Sequence, residues 1–398
     1  MRILYLHQFF ITREGIGGTR SYEFARRFAA GGHEVRMVSA GGGRRTVDGI
    51  EVVGVRGAYS DYMTATALSH PRRIAAFLRF AAGAALAALR RPRPDVIYAT
   101  SPPLTMAVPG LLASLRHRAP LVFEVRDLWP EAPIQMGALR NPLLRSAARA
   151  LERLVYRRAS AIVALSPGIR DGVLAVGVPE DKVELVPNAA DLELFAPDRD
   201  GRALRDELGL GGRFVCSYFG AMGEANDLTQ VIEAAALLRE REVSFVLLGG
   251  GKRRTALERL ARERGADNVV FMDPVPDKAS VARLAAASDA CLTIFKDVPV
   301  LATNSPNKLF DTFAAGRAAI VNTDGWMREL VEDNDAGVYV RAADPADLAE
   351  KVGRLEADRE LTERLGRNGR ALAEREFDRD LLAGRVLALL ERVARESH

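Results

Sequence analysis

The chain alternates short apolar runs with amphipathic segments along its whole length. The apolar runs predict buried strands, and the segments with apolar residues every three to four positions predict the helices between them. In the first half the predicted strands are Ile3–Leu6, Glu34–Ser39, Ile50–Val55, Val96–Ala99, Leu121–Val125, Ala161–Ala164 and Val183–Val186. The series restarts with Phe214–Phe219, Ser244–Leu248, Val269–Met272, Ala290–Ile294, Ala318–Val321 and Gly337–Val340.

Two successive strand–helix series predict an α/β protein with two Rossmann-like domains, each built on a mostly parallel sheet. We assign residues 1–190 to an N-terminal domain and residues 191–375 to a second domain. The likeliest linker, 191–212, is rich in charge, Pro and Gly. Residues 376–398 predict a helix that returns to the N-terminal domain.

Composition narrows the class of protein. The 398 residues are 48% hydrophobic and 27% charged, as in a soluble globular protein. Cys216 and Cys291 both fall in apolar runs, so neither a disulfide framework nor a cysteine metal site is predicted, and we expect a reducing cytoplasm. The start MRILYLHQFF runs directly into a strand, so no signal peptide is expected.

The charge is unevenly distributed around a net value of +4. Basic residues outnumber acidic ones in residues 1–190, and the reverse holds in the remainder. The first domain therefore suits an anionic partner such as a phospholipid surface or a diphosphate-linked acceptor. We find no nucleic-acid-binding motif and expect no nucleic acid partner.

The segment Asn304–Gly316, NSPNKLFDTFAAG, predicts a helix that begins at an anion-binding site. Ser305 is expected to cap it, with Pro306 at the first helical position and Gly316 at its end. Asn307, Lys308 and Asp311 share one face, so a nucleotide could place its phosphates at the helix start and its ribose at the carboxylate. The alternative is a well-capped amphipathic surface helix.

A glycine-rich loop follows the first strand. Gly15, Gly17 and Gly18 let backbone N–H groups approach a phosphate before the helix that begins near Thr19. The alternative is an ordinary flexible loop. Three Asp-x-Asp matches lie in a linker, a loop and a charged helix, and none closes a buried strand, so we expect no bound metal.

These stretches together resemble the retaining glycosyltransferases of the GT-B architecture, within the large family 4-like group. The resemblance is carried by GGHEV from Gly31, FEVRDLWPE from Phe123, LVPNAADLELF from Leu185, GAMGEAN from Gly220, and the segments at 304–316 and 325–340. The chain is most similar to the bacterial fucosaminyltransferase-like enzymes of surface polysaccharide assembly. The resemblance implies two domains facing a cleft, and a UDP-sugar donor whose sugar we expect to be an N-acetylated amino sugar.

The resemblance also implies roles for residues of the second domain. Asp311 would hold the ribose hydroxyls, and Lys308 would stabilise the leaving diphosphate. The other residues implied in donor binding are Gly17, Gly18, Asn226, Lys252, Arg253, Val275, Thr303, Asn304, Ser305 and Asn307. Many relatives have a glutamate where this chain has Thr303. Many also have a basic pair in the loop that corresponds to GAMGEAN, which has no basic residue in this chain. Asn226 would then replace the basic pair with a neutral hydrogen bond, and Lys308 would be the main positive charge expected at the diphosphate.

In the first domain, the resemblance places catalytic candidates in FEVRDLWPE. Asp127 matches an acid near the reacting sugars, Arg126 stands where many relatives have His, and Glu131 is a candidate for acceptor binding. The alternative for Arg126 and Asp127 is a local salt bridge. Retention would proceed by front-face displacement, in which the departing phosphate oxygen takes the proton of the acceptor hydroxyl.

Two questions stay open at this point. Residues 72–93 place the apolar run Phe80–Leu89 between arginines, which suits either a helix lying in a membrane interface or a crossover helix on the first sheet. The acceptor is correspondingly a lipid-linked sugar or a soluble molecule. The alternatives to a transferase are a UDP-N-acetylhexosamine 2-epimerase-like isomerase, a non-catalytic UDP-binding protein and a dinucleotide oxidoreductase, the last lacking a G-x-G-x-x-G.

Overall fold

A computed structural model of the chain describes residues 1–15, 17–56, 70–90, 92–275 and 277–397. Its strands are β1 Arg2–Leu6, β2 Glu34–Ala40, β3 Arg44–Val47, β4 Ile50–Val55, β5 Val96–Thr100, β6 Leu121–Val125, β7 Ala161–Ala164, β8 Val183–Leu185, β9 Phe214–Phe219, β10 Val243–Leu248, β11 Val269–Met272, β12 Ala290–Thr293, β13 Ala318–Val321 and β14 Gly337–Tyr339. Each predicted strand is present, with ends that differ from the prediction by no more than one residue.

The helices connect these strands. They are α1 Arg20–Ala30, α2 His70–Ala88, α3 Ala107–His117, α4 Glu131–Gln135, α5 Pro142–Arg158, α6 Pro167–Ala175, α7 Arg202–Glu207, α8 Leu228–Leu237, α9 Arg254–Arg264, α10 Lys278–Ala287, α11 Asn307–Ala314, α12 Trp326–Glu332, α13 Pro345–Ala357, α14 Arg359–Leu372 and α15 Arg379–Glu396.

Two sheets organise the molecule. Within the described residues, the first sheet has the strand order β3-β4-β2-β1-β5-β6-β7-β8 and the second has the order β11-β10-β9-β12-β13-β14. Neighbouring strands are parallel except for the hairpin of β3 and β4. The prediction of two α/β domains, each built on a mostly parallel sheet, is therefore confirmed.

The strand sequences explain this pairing. Strands such as β6 and β10 are buried along their whole length, because helices cover both faces of a parallel sheet. The hairpin strand β3 was not predicted. Its sequence RRTV is mostly exposed at the sheet edge, so it has no apolar run to identify it.

Helix α2 is a crossover helix between β4 and β5. Its buried side chains Ala76, Phe80 and Ala84 face the protein interior, and it packs against β2, β4 and α3. Arg91, one of the flanking arginines noted in the sequence, lies outside the described residues.

The chain crosses between the domains twice. It leaves the first domain near Ala190, and it returns at Asp378, which forms an isolated parallel bridge with Ala190. Helix α15 then packs against α1 and β5 of the first domain. In each sheet, the strand order reverses beside the first strand of the domain, β1 or β9, and ligands of open α/β sheets bind at such reversals.

Candidate active site

A cleft of about 390 Å³ lies between the loop after β1 and the carboxyl ends of the second-domain strands. Both domains contribute to it. Its lining residues are Gly15, Gly17, Gly18, Phe219, Gly220, Ala221, Asn226, Leu248, Gly249, Gly250, Pro274, Val275, Asp277, Lys278, Val281, Phe295, Pro306, Asn307, Lys308 and Asp311. Seven of the residues predicted to bind the donor are among them: Gly17, Gly18, Asn226, Val275, Asn307, Lys308 and Asp311.

Helix α11 brings its polar face to this cleft, but it begins differently from the prediction. The helix begins at Asn307, with Pro306 in the capping position and extended, and no side chain caps it. The expectation that Ser305 is the cap is wrong, because Ser305 Oγ accepts a hydrogen bond from the backbone N–H of Asn188, at 3.1 Å. Asn188 Nδ2 also donates to the Ser305 carbonyl. Ser305 thus joins the two domains instead of capping the helix.

The end of α11 agrees with the prediction. Gly316 has φ of +63°, in the left-handed region that lets a helix end without the cost of a Cβ.

Lys308 is half-buried, and the groups nearest its ammonium are neutral. Its Nζ donates to the Tyr218 hydroxyl at 3.0 Å, lies 3.4 Å from Asn226 Oδ1, and lies 4.1 Å from the centroid of the Tyr218 ring and 5.5 Å from that of Phe295. Among the described residues, no carboxylate forms an ion pair with it. Burial lowers the pKa of Lys308 to about 7. An anion in the cleft would supply the countercharge that this ammonium lacks.

Asp311 lies almost a full turn further along α11 and does have a cationic partner. Its Oδ1 accepts from Lys278 Nζ at 3.0 Å, and the two side chains are only 4% and 10% exposed. Burial raises the pKa of Asp311, and the charges of Lys278 and Arg379 oppose that rise. Within the described residues, the cleft thus holds a cation without an ion pair beside a carboxylate that has one. A cation can bind a phosphate group, and an ionised carboxylate accepts hydrogen bonds from hydroxyl groups.

The glycine loop closes the other side of the cleft. Gly18 leaves room for two side chains from opposite domains: a Cβ there would lie 3.3 Å from Arg126 Nη2 and 3.3 Å from Asn307 Nδ2. Gly17 has φ of +139°, a backbone conformation that residues other than glycine rarely adopt. The backbone conformation at Gly17 therefore favours glycine, and a side chain at Gly18 would shift the ends of the Arg126 and Asn307 side chains.

Arg126 and Asp127 lie at the end of β6. Arg126 Nη1 lies 3.4 Å from His7 Nε2, and burial lowers the pKa of His7, so that ring is neutral. Burial raises the pKa of the Asp127 carboxyl, and Arg126 opposes the rise. These two described side chains form no ion pair with one another, which disfavours the local salt bridge considered from the sequence.

A buried network supports this strand end. Glu124 accepts from Arg20 Nε at 2.9 Å, from the Tyr98 hydroxyl at 2.5 Å and from Thr100 Oγ1 at 2.6 Å. Although burial acts to raise it, Arg20 holds the pKa of Glu124 below its usual value. Arg20 also donates to the carbonyls of Pro187 and Val186, so the network ties β6 to the crossover between the domains.

Several predicted residues lie outside the cleft lining. Lys252 is exposed, and Arg253 lies 4.0 Å from Glu224. Thr303 Oγ1 donates to the Val300 carbonyl at 2.8 Å, and its own carbonyl accepts from Ser166 of the first domain.

Ser305, Arg126 and Asp127, described above, are also absent from the lining, as are Asn304 and Glu131. Asn304 donates its backbone N–H to the Leu301 carbonyl at 3.2 Å. Glu131 pairs with Arg149 at 2.7 Å. The roles assigned to these residues stay predictions.

Sequence reasoning missed four residues of the site: Tyr218, Phe295, Lys278 and Arg379. Tyr218 lies inside a buried strand, where an aromatic residue is usually core. Phe295 follows the carboxyl end of β12, and Lys278 follows that of β11. Because ligands of open α/β sheets bind at the carboxyl ends of strands, these positions could have been predicted from the sequence. Arg379 is far away in sequence, and only the return of α15 brings it close.

Within the described ranges, no group of three or more His, Cys, Asp or Glu side chains is arranged to hold a metal ion. No helix in that part of the chain is both long and apolar enough to cross a bilayer. The expectation that the protein uses no metal stays a prediction.

Each half of the chain matches a known domain family. Residues 17–189 match the family described as Glycosyl transferase 4-like domain, and residues 213–358 match Glycosyl transferases group 1. The boundary between the two matches falls within the predicted linker region.

The chain is also similar in sequence to proteins that are named as glycosyltransferases. The chain is 29% identical over 249 residues to the putative colanic acid biosynthesis glycosyl transferase WcaI of Escherichia coli, covering 61% of this chain and 60% of that protein. It is 26% identical to the alpha-D-kanosaminyltransferase of Streptomyces kanamyceticus, covering 56% of this chain and 57% of that protein. The chain therefore matches only about three-fifths of the length of these relatives.

Solved structures share the fold along nearly the whole chain. Anabaena HepE, solved in complex with UDP-glucose, has a TM-score of 0.77 at 20% identity, covering 98% of this chain and 100% of that one. The sucrose-phosphate synthase of Thermosynechococcus elongatus has a TM-score of 0.78 at 18% identity, covering 98% of each chain.

Proposed function

Because residues 17–189 match a Glycosyl transferase 4-like domain and residues 213–358 match Glycosyl transferases group 1, we propose that the protein transfers a sugar from a UDP-sugar to an acceptor hydroxyl, with retention of configuration. One observation carries the proposal. Among the described residues, Lys308 forms no ion pair with a carboxylate, and it lies about one helical turn from the buried carboxylate of Asp311. The UDP-glucose complex of a protein with the same fold supports UDP as the nucleotide.

In this proposal the second domain stabilises the leaving group. The diphosphate lies at the start of α11, where free backbone N–H groups and Lys308 face it, and the N–H groups of the Gly17–Gly18 loop approach from the first domain. Such groups stabilise negative charge as it develops on the departing oxygen, and loss of one typically costs about 10²–10³ in rate. In the same proposal, the backbone of Val275, which lines the cleft, contacts the base.

The first domain supplies the groups near the reacting sugar. The acceptor hydroxyl attacks from the face that the diphosphate leaves, and its proton passes to the departing phosphate oxygen. Arg126 contributes positive charge beside Gly18, and Asp127 accepts hydrogen bonds from a sugar hydroxyl. The transferred sugar is proposed to be an N-acetylated amino sugar, as in the fucosaminyltransferase-like enzymes.

The outward face of α2 favours a lipid-linked acceptor. Leu78 and Leu86 are 57% and 66% exposed, and Arg72, Arg79 and Arg90 are exposed as well. From residue 62 to residue 123 the sequence contains a single acid, Asp95. Apolar side chains among arginines bind anionic lipid surfaces, and such a face would bring the cleft near a lipid-linked sugar.

The first experiment measures thermal stabilisation by UDP, GDP, ADP, TDP and NAD, each without added metal. A nucleotide at 100 times its Kd stabilises the folded state by about 2.7 kcal/mol, which is easily seen as a melting shift. We expect UDP to give the largest shift, followed by turnover of UDP-sugars with a lipid-linked acceptor. A shift with NAD and none with UDP would contradict the proposal.

The lipid surface is tested separately by flotation with phosphatidylglycerol and phosphatidylcholine vesicles. We expect the protein to float only with the anionic vesicles, and the Leu78→Glu/Leu86→Glu variant to remain in solution. Leu237→Glu is the matched control, because Leu237 is 62% exposed on the second domain. Equal flotation of all three proteins would exclude this face.

A further inference from the structure

Lys278 is a buried cation in the nucleotide cleft to which neither the sequence motifs nor the proposed mechanism gives a role. It is the first residue of α10, a helix capped by Asp277, whose Oδ1 accepts from the Ser280 N–H at 2.7 Å. Its Nζ lies 3.0 Å from Asp311 Oδ1 and 5.3 Å from the centre of the Phe195 ring. The stem is thus packed, and the ammonium points at the carboxylate.

In the Lys278–Asp311 ion pair, one carboxylate oxygen of Asp311 accepts no hydrogen bond from the described residues. Lys278 occupies Asp311 Oδ1, and among the described residues no hydrogen bond is made to Asp311 Oδ2. Asp311 lines the cleft, so Oδ2 is the atom left for a ligand. An ionised carboxylate only accepts hydrogen bonds, and ribose hydroxyls donate them, so the ionised form is the one that suits a ribose.

Burial acts against that ionised form. It raises the pKa of Asp311, and the neighbouring carboxylate of Asp191 adds to the rise. Lys278 from α10 and Arg379 from α15 oppose it, but only Lys278 donates directly to Asp311. The Arg379 guanidinium instead donates to Thr19 Oγ1 at 3.1 Å and to the Ala189 carbonyl at 3.2 Å.

The backbone of Lys278 is fixed independently of its side chain. Its N–H donates to the Arg13 carbonyl in the glycine loop of the first domain, at 3.2 Å. Arg13 is itself held by Glu23 at 2.6 Å. A side-chain substitution at Lys278 therefore removes the ammonium while leaving this contact between the domains available.

We propose that Lys278 is a positioning residue of the nucleotide site: its ammonium keeps the Asp311 carboxylate ionised and turned so that Oδ2 accepts hydrogen bonds from the ribose hydroxyls. This inference rests on the proposed binding of UDP. It adds a residue that acts through Asp311 and not through contact with the reacting atoms.

The test compares UDP with 2′-deoxy-UDP, which lacks one ribose hydroxyl, in the full-length protein and in Lys278→Met and Lys278→Arg. A hydrogen bond to a charged group is worth about tenfold or more in affinity, so we expect the unsubstituted protein to prefer UDP by about that factor. Lys278→Met should lose most of this preference, and Lys278→Arg should retain it. Circular dichroism and melting curves establish that the variants fold.

The pH profile separates this role from a merely structural one. In Lys278→Met, the ratio of its Kd for UDP to that of the unsubstituted protein should grow as pH falls, by up to about tenfold per unit below the raised pKa of Asp311. Titration of Lys308 and of UDP itself cancels in that ratio. A pH-independent ratio, or an unchanged preference for UDP over 2′-deoxy-UDP, would overturn the inference. No binding of UDP by the unsubstituted protein would instead overturn the proposed function.

Discussion

Binding of UDP should draw a proton onto Lys308. In the free protein, burial beside Tyr218, Phe295 and Asn226 lowers the pKa of Lys308 to about 7, and among the described residues no carboxylate forms an ion pair with it to oppose this shift. A bound diphosphate supplies that compensation and raises the pKa again. Binding above pH 7 therefore requires the uptake of a proton, and affinity falls as pH rises.

The magnitude follows from the shifted pKa. A lysine of pKa about 7 is about three-quarters neutral at pH 7.5 and almost wholly neutral at pH 8.5. Binding should then take up about 0.8 proton at pH 7.5, and the Kd for UDP should rise about eightfold between the two pH values. The terminal phosphate of UDP is ionised across this range, since its pKa is about 6, so it adds little to the change.

Isothermal titration calorimetry in buffers of different ionisation enthalpy measures the proton uptake directly. Lys308→Arg is the control, because a guanidinium stays charged at every pH of the experiment and its Kd should not vary. Proton uptake that persists in Lys308→Arg would refute the assignment to this residue. A Kd for the unsubstituted protein that is the same at both pH values would refute the reasoning about burial.

Three further predictions concern the same region. Asp311→Ala and Lys308→Ala should each reduce UDP-sugar turnover by about 10²-fold or more while circular dichroism shows an intact fold, and full turnover in both would exclude the assigned site. Gly18→Ala should weaken UDP binding by about tenfold, because its Cβ would lie 3.3 Å from side chains of both domains, whereas Gly212→Ala, with open space around it, should bind normally. Phe310→Ala should lower the free energy of unfolding in urea by about 3–5 kcal/mol, since Phe310 is fully buried beneath the site, and a loss below about 1 kcal/mol would contradict that packing.

Local sequence pattern was enough to predict the two sheets and the polar face of α11. Strands covered on both faces are continuously apolar, and residues three and four apart on a helix share a face whatever surrounds them. Asn307, Lys308 and Asp311 therefore reach the cleft as expected. The polar edge strand β3 leaves no comparable pattern, so it was missed.

Contacts between distant segments could not be predicted in this way. Lys278 and Asp311 lie on different helices, and nothing in either segment indicates that they meet. Ser305 is a residue type that often caps helices, but its hydroxyl accepts a hydrogen bond from the backbone N–H of Asn188 in the first domain. In both cases a partner from elsewhere in the fold decides the role of a side chain.

The return of α15 to the first domain has a consequence for biosynthesis. Domains generally fold as they leave the ribosome, the N-terminal one first. Here the helix that covers α1 and β5 is translated only after the whole second domain. The first domain to emerge is thus the last to be completed, and until then its apolar surface under α15 is open to chaperones and proteases.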